Sequence, residues 1–133
     1  MMVEFGAPLD DQEQERHAIR AAIEMQEEGK RLSDYYVQQG RGPIQIGIGI
    51  HTGPAVVGNI GSNVRMEYTA IGDTVNVAAG LENATKELLH PILVSEATFI
   101  SVKDQFNFTY IKEITLKGRE EKIKVYSLNL EKP

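Results

Sequence analysis

The stretch YTAIGDTVNVAAGLE, residues 68–82, carries polar side chains where a predicted strand passes into a predicted helix. Thr69 lies toward the end of that strand, and Asn76 lies in the first helical turn, near backbone N–H groups that a helix N-terminus leaves unpaired. Position 80 follows Asn76 by one turn on the same face, and it is a glycine. A hydroxyl, an amide and a third group could therefore bind a ligand here. An ordinary strand-turn-helix with a polar outer face would have the same pattern.

Two other groups could take part in chemistry. Lys117 and Arg119 lie in the turn KGREE, where they could contact phosphates, although a solvated charged turn has the same composition. His51 follows an alternating strand and could belong to a site, or it could be a structural histidine. The three histidines lack the spacing of metal ligands, and the sequence contains no P-loop, dinucleotide fingerprint or Gly-x-Ser-x-Gly motif.

The elements that must position these residues are predicted from hydrophobic spacing. We predict a first helix that ends at Gly40 and is capped by Asp10 or Asp11. A second helix is predicted from Thr74 to about Leu89, with Asp73 as its cap. A third is predicted to follow a cap at Ser95 and to extend to Val102. Strands are predicted at 1–5, 44–50, 65–71, 92–94, 108–116 and 122–128, the last two joined as a hairpin. The result is one α+β domain that occupies residues 1–133.

The strand at 44–50 has an unusual second face. Its isoleucines alternate with Gln45, Gly47 and Gly49, so that one side is apolar and the other is nearly bare. Glycines inside a strand indicate that something approaches the backbone closely. That neighbour is either a packed helix or strand, or a ligand, and the sequence leaves both open.

Composition excludes several classes of protein. A net charge of −5 and a pI near 5.2 argue against a nucleic-acid partner. No apolar run is long enough to cross a membrane, which predicts no membrane segment. The absence of cysteine excludes disulfides and thiolate metal sites and fits a cytoplasmic location.

Four segments together resemble the catalytic domain of class III nucleotidyl cyclases, in particular that of bacterial adenylate cyclases. They are FGAP at 5–8, IQIGIGIHTGPAVVGNIGS at 44–62, MEYTAIGDTVNVAAGLE at 66–82 and LKGREEKIKVYSL at 116–128. The resemblance implies a ferredoxin-like α+β fold that lacks its first strands and ends in a C-terminal β-hairpin. It also implies conversion of ATP to cyclic AMP and pyrophosphate with Mg²⁺ or Mn²⁺, at sites shared by two chains of a head-to-tail dimer.

The resemblance also assigns roles to individual residues. Thr69 matches a position that reads the purine, and Asn76 matches the catalytic asparagine that orients the ribose. Lys117, or Arg119, lies where the family holds the triphosphate. Gly47 and Gly49 fall in the strand that approaches the dimer cleft.

Two departures from the family pattern modify this expectation. The family helix reads VN-x-A-x-R, and its arginine stabilises the reacting phosphorus, whereas this sequence reads VNVAAG with Gly80 in that place. The metal-binding aspartates of the family match no residue here. We therefore expect no cyclase activity from this chain alone. A non-catalytic module for dimerisation or nucleotide binding is the alternative. Open strand edges at 1–5 and 44–50 predict a homodimer, or pairing with another cyclase chain.

Overall fold

The computed structural model describes residues 2–3, 5–6, 12–53, 56–60, 67–71, 73–115 and 122–130. Within these residues, helices are interspersed with strands that occur singly or in runs of two or three, as expected for an α+β domain. In chain order they are α1 (Gln14–Gln38), β1 (Ile48–Ile50), β2 (Val56–Ile60), β3 (Glu67–Ile71), α2 (Asp73–Leu88), β4 (Ile92–Ser95), α3 (Glu96–Val102), β5 (Phe108–Thr115) and β6 (Lys122–Leu128).

Four strands form a mixed sheet in the order β1-β4-β6-β5. β1 and β4 are parallel, and the connection between them includes α2, as a parallel pair requires a crossover. β6 pairs antiparallel with β4 and with β5, so the predicted C-terminal hairpin is confirmed. A second, two-stranded antiparallel sheet consists of β2 and β3.

Helices cover both faces of the four-stranded sheet. Along β4, Ile92 and Val94 face one side and Leu93 faces the other, as the period of two in a strand dictates. The first side packs against α1 and α3, through Ile19, Ala22, Val102 and Leu128. The second side packs against α2, through Val77, Leu81, Ala84 and Val125. Burial of the apolar side chains on the second side holds α2 against the sheet.

The glycine face of the 44–50 stretch meets a helix. A Cβ atom placed on Gly49 would lie 2.6 Å from the carbonyl oxygen of Ala78 in α2, and a Cβ on Gly47 would collide with Thr85. Ile48 and Ile50 pack on the opposite side, against the core beneath α1. Of the two alternatives open from sequence, close packing by a helix therefore accounts for both glycines. Regular pairing is shorter than predicted and is limited to Ile48–Ile50.

The start of the chain differs from its prediction. Within the strand predicted at 1–5, residues 2, 3 and 5 are described and are not in a strand, so the prediction is wrong for them. α1 begins at Gln14, with Glu13 in the cap position and no side-chain cap bond. The two aspartates predicted to cap it lie outside the described residues.

An apolar stripe at helical spacing along α1, which includes Ile19, Ala22, Ile23 and Leu32, is buried only in its first half. Ile19 is fully buried, whereas Leu32 is 46% exposed. With 25 residues, α1 is about 37 Å long, while the four residues of β4 span only about 13 Å, so the helix extends past the sheet. The stripe was correctly predicted to be helical, but the sheet is too short to cover its full length.

Both long helices end in the same backbone motif. After α1, Gly40 adopts a φ of 81°, and the Arg41 N–H donates to the Tyr36 carbonyl at 2.9 Å. After α2, Leu89 adopts a φ of 59°, and the His90 N–H donates to the Thr85 carbonyl at 3.2 Å. These are Schellman motifs, whose left-handed position normally holds glycine. Leu89 therefore occupies a glycine position.

Leu89→Gly should stabilise the protein by about 0.5–1 kcal/mol, because a left-handed residue with a Cβ costs roughly 1–2 kcal/mol and glycine recovers part of it. Leu89 is 86% exposed, so little packing is lost. Urea unfolding measures the change, and Leu89→Ala, which retains the Cβ, serves as the control. A glycine variant less stable than the alanine variant would contradict this account of the helix end.

Candidate functional site

The candidate site begins where β3 runs into α2. The two elements are separated by a single residue and are in contact. Thr69 is the third of five residues in β3 and pairs with Gly58 of β2, so it lies in the middle of the strand and not near its end. Its side chain lies outside the described part of the structure. The pairing of β2 with β3 was not predicted, although two short apolar runs separated by a segment that begins with the turn residues Gly-Ser-Asn give the signal of a hairpin.

α2 carries the second predicted site residue on its outer face. The helix prediction from Thr74 to Leu89 is confirmed to within one residue, with Asp73 as the first helical residue. Asn76 is exposed, and Gly80 one turn later is half-buried. On the inner side, Val77 is 1% and Leu81 0% exposed. Asn76 and position 80 therefore share the face of α2 turned away from the sheet, and exposed Asn83 continues it.

His51 belongs to a polar contact at the carboxyl ends of β1 and β4. Its Nδ1 atom lies 2.7 Å from Ser95 Oγ, and Thr52 Oγ1 lies 2.9 Å from Thr98 Oγ1. Ser95 was predicted to cap α3, and it occupies the cap position, but its side chain makes no cap bond. The hydroxyl pairs with His51, which favours the structural interpretation of this histidine.

The loop that follows β1 also touches the start of α2. A Cβ placed on Gly53 would lie 2.7 Å from Thr74 Oγ1. The first turn of α2, which contains Asn76, is therefore held by β3 on one side and by the 51–53 loop on another. This local packing fixes where the exposed amide is presented.

The predicted phosphate-binding residues Lys117 and Arg119 lie outside the described residues, within the connection from β5 to β6. Nearby, Lys124 Nζ lies 3.7 Å from Glu96 Oε2, so this lysine pairs with a carboxylate of α3. Both groups are well exposed, and such a pair contributes little to stability.

The described residues contain no large cluster of metal-ligating side chains. Within that part of the chain, no group of three or more His, Cys, Asp or Glu side chains is close enough to hold a cation. Nor is any helix there long and apolar enough to cross a bilayer.

Comparison with known proteins identifies the family. Residues 1–130 match the family described as the adenylate and guanylate cyclase catalytic domain. The chain is 35% identical over 124 residues to adenylate cyclase 1 of Rhizobium meliloti (strain 1021), covering 93% of this chain and 19% of that protein. It is 36% identical over 118 residues to the adenylate cyclase of Anabaena cylindrica, covering 84% of this chain and 24% of that protein. The chain thus spans about a fifth to a quarter of these relatives.

Solved structures share the fold. The adenylyl cyclase CyaB from P. aeruginosa aligns with a TM-score of 0.85 and 32% identity, over 94% of this chain and 64% of that chain. The guanylyl cyclase Cya2 aligns with a TM-score of 0.84 and 29% identity, over 93% of this chain and 62% of that chain. The chain therefore belongs to the adenylate and guanylate cyclase catalytic domain family.

Proposed function

We propose that this chain forms the nucleotide-receiving half of an adenylate cyclase active site. Thr69 contacts the purine, Asn76 orients the ribose, and Lys117 or Arg119 holds the triphosphate. The exposed amide of Asn76 carries the proposal, because it stands in the first turn of a helix whose opposite side is completely packed. Within the described part of the chain, no hydrogen bond engages that amide, so its donors and acceptor can serve a ligand.

The reaction that this half-site supports is cyclisation of ATP. The ribose 3′-oxygen forms a bond to the α-phosphorus, the bond from that phosphorus to the bridging oxygen breaks, and pyrophosphate leaves as the 3′-hydroxyl loses its proton. Asn76 contributes by fixing the sugar so that its 3′-oxygen faces the phosphorus. Mg²⁺ or Mn²⁺ supplies charge stabilisation in this family. Since the metal-binding aspartates of the family match no residue of this chain, we assign the metal ligands to a second chain.

Pairing with that second chain is supported by the free edge of β1. The Ile48 N–H bonds the Pro91 carbonyl on the β4 side at 2.9 Å. Because successive residues of a strand direct their polar groups to opposite edges, Gly49 directs its N–H and carbonyl away from β4. Neither group has a partner within the described chain. An unpaired edge of this kind accepts a strand from another chain, either a second copy or another cyclase.

Gly80 supports a second candidate function, which is nucleotide binding without turnover. Glycine supplies no cation to the reacting phosphate, although Asn76 remains in place on the same face of α2. A chain of this kind would bind ATP and dimerise without producing cyclic AMP. Cyclic AMP formed by the mixture of this chain with a metal-binding cyclase domain, above that formed by the partner domain alone, separates the two functions, because only the catalytic half-site predicts it.

We expect the purified chain to produce no cyclic AMP from ATP with Mg²⁺ or Mn²⁺. The test of pairing uses a cyclase catalytic domain that retains its metal aspartates and has alanine in place of the arginine of VN-x-A-x-R. We expect this chain to co-elute with that domain on size-exclusion chromatography. Each component run alone, at the same total concentration, is the control. Cyclic AMP from the lone chain well above a no-protein blank would contradict the half-site, and separate elution would contradict the pairing.

A further inference from the structure

We infer that Gly49 is a positioning residue, because its backbone contact with α2 sets where Asn76 is presented. The consequence for nucleotide binding rests on the proposed function. The effect of Gly49 on the position of α2 does not rest on the proposed function, and that position can be measured separately.

The contact at Gly49 is between backbone atoms. A Cβ at this position would lie 2.6 Å from the Ala78 carbonyl oxygen and 2.8 Å from Leu81 Cβ, and closer still to the Glu82 nitrogen. These atoms belong to the helix backbone or are attached directly to it, so no rotamer change can move them away. Any side chain at position 49 therefore requires the helix itself to retreat from the strand.

The contact at Gly47 involves a side-chain atom of α2 in place of its backbone. There an added Cβ would meet the hydroxyl of Thr85, which donates to the Glu82 carbonyl at 2.6 Å. Thr85→Ala removes this hydroxyl and leaves the Thr85 Cβ atom at 3.1 Å, a tight contact that a shift of a few tenths of an ångström relieves. Gly47 thus provides a matched control on the same strand, facing the same helix.

A displacement at Gly49 must reach the site. Ala78 is two residues from Asn76 in the same helix, and an α-helix moves nearly as a rigid rod over so short a length. Ordinary van der Waals separation from the Ala78 oxygen requires α2 to shift by about 1 Å. Shifts of about 1 Å in a positioning element can reduce rates by up to 10²-fold, so ligand contacts at Asn76 should be sensitive to it.

The test compares Gly49→Ala with two controls, by isothermal titration with ATP at a temperature where all variants are folded. Gly49→Ala should weaken ATP binding about three- to tenfold, because the displaced amide of Asn76 loses its hydrogen bond to the ribose. Gly47→Ala combined with Thr85→Ala should retain most of the affinity. Val102→Ala removes buried volume on the other face of the sheet, so it should lower thermal stability without changing affinity.

A crystal structure of Gly49→Ala provides the readout that does not depend on the nucleotide. We expect α2 to be displaced from β1 and Asn76 to move with it. An undisplaced α2, or ATP affinity equal to that of the wild type, would overturn the inference. If wild-type protein fails to bind ATP, the proposed function fails instead, and the position of α2 in the variant alone decides the role of Gly49.

Discussion

Gly80→Arg should raise cyclic AMP formation by about 10²–10³-fold in the mixed dimer with an arginine-deficient cyclase domain. The expected gain corresponds to roughly 2.7–4 kcal/mol of transition-state stabilisation, the range measured when one preorganised donor to a developing oxyanion is removed. Position 80 lies one turn from Asn76 on the outer face of α2, so an arginine there would extend from the same face as the proposed ribose contact. The guanidinium can bind two phosphate oxygens at once.

Two variants at the same position separate charge from helix propensity. Gly80→Ala should stabilise α2 by about 1 kcal/mol without restoring catalysis, because it adds helix propensity and no cation. Gly80→Lys supplies a point charge without the planar fork and should restore only part of the rate. An alanine variant as active as the arginine variant would show that helix order, and not the missing cation, limits the reaction.

Asn76→Ala, introduced into the active Gly80→Arg mixture, should lower the turnover rate about 10²-fold. The amide is proposed to hold the ribose so that the 3′-oxygen is in line with the α-phosphorus, and loss of that alignment acts mainly on the chemical step. We therefore expect kcat to fall much more than KM rises. Steady-state kinetics on the mixed dimer measures both.

Asn83→Ala is the matched control for this prediction. Asn83 is also an exposed asparagine on the outer face of α2, about two turns further from β3. Its substitution should leave kcat and KM within a factor of about two, since exposed surface changes seldom exceed 0.5 kcal/mol. Equal losses in the two variants would indicate a general effect on α2 and would contradict a specific role for Asn76.

The helix α2 was predicted from sequence almost to the residue, and the reason is local. Asp73 and Thr74 mark its start, and apolar residues such as Val77 and Leu81 recur at helical spacing, so the sequence contains the whole signal. The β5–β6 hairpin was predicted for the same reason. A β-bulge between Tyr110 and Lys112 was not predicted, because it depends on how β5 aligns with its neighbour.

Features that depend on tertiary contacts could not be obtained from the sequence alone. The two glycines at 47 and 49 indicated a close neighbour, but only the folded chain shows that the neighbour is α2. Serine is a common helix-capping residue, yet the Ser95 hydroxyl contacts His51, which is 44 positions away in the sequence. The exposed half of α1 follows from the short sheet beneath it. The roles of Thr69, Asn76, Lys117 and Arg119 rest on the family pattern and stay predictions.

An NMR titration of the isotopically labelled chain with ATP measures directly where the nucleotide binds. We predict that the largest amide shifts occur at Asn76, at its neighbours in the first turn of α2 and at Thr69, while Val102 on the opposite face of the sheet is unaffected. No response in the β3–α2 region at saturating ATP, or shifts confined to other elements, would contradict the central claim that this junction receives the nucleotide.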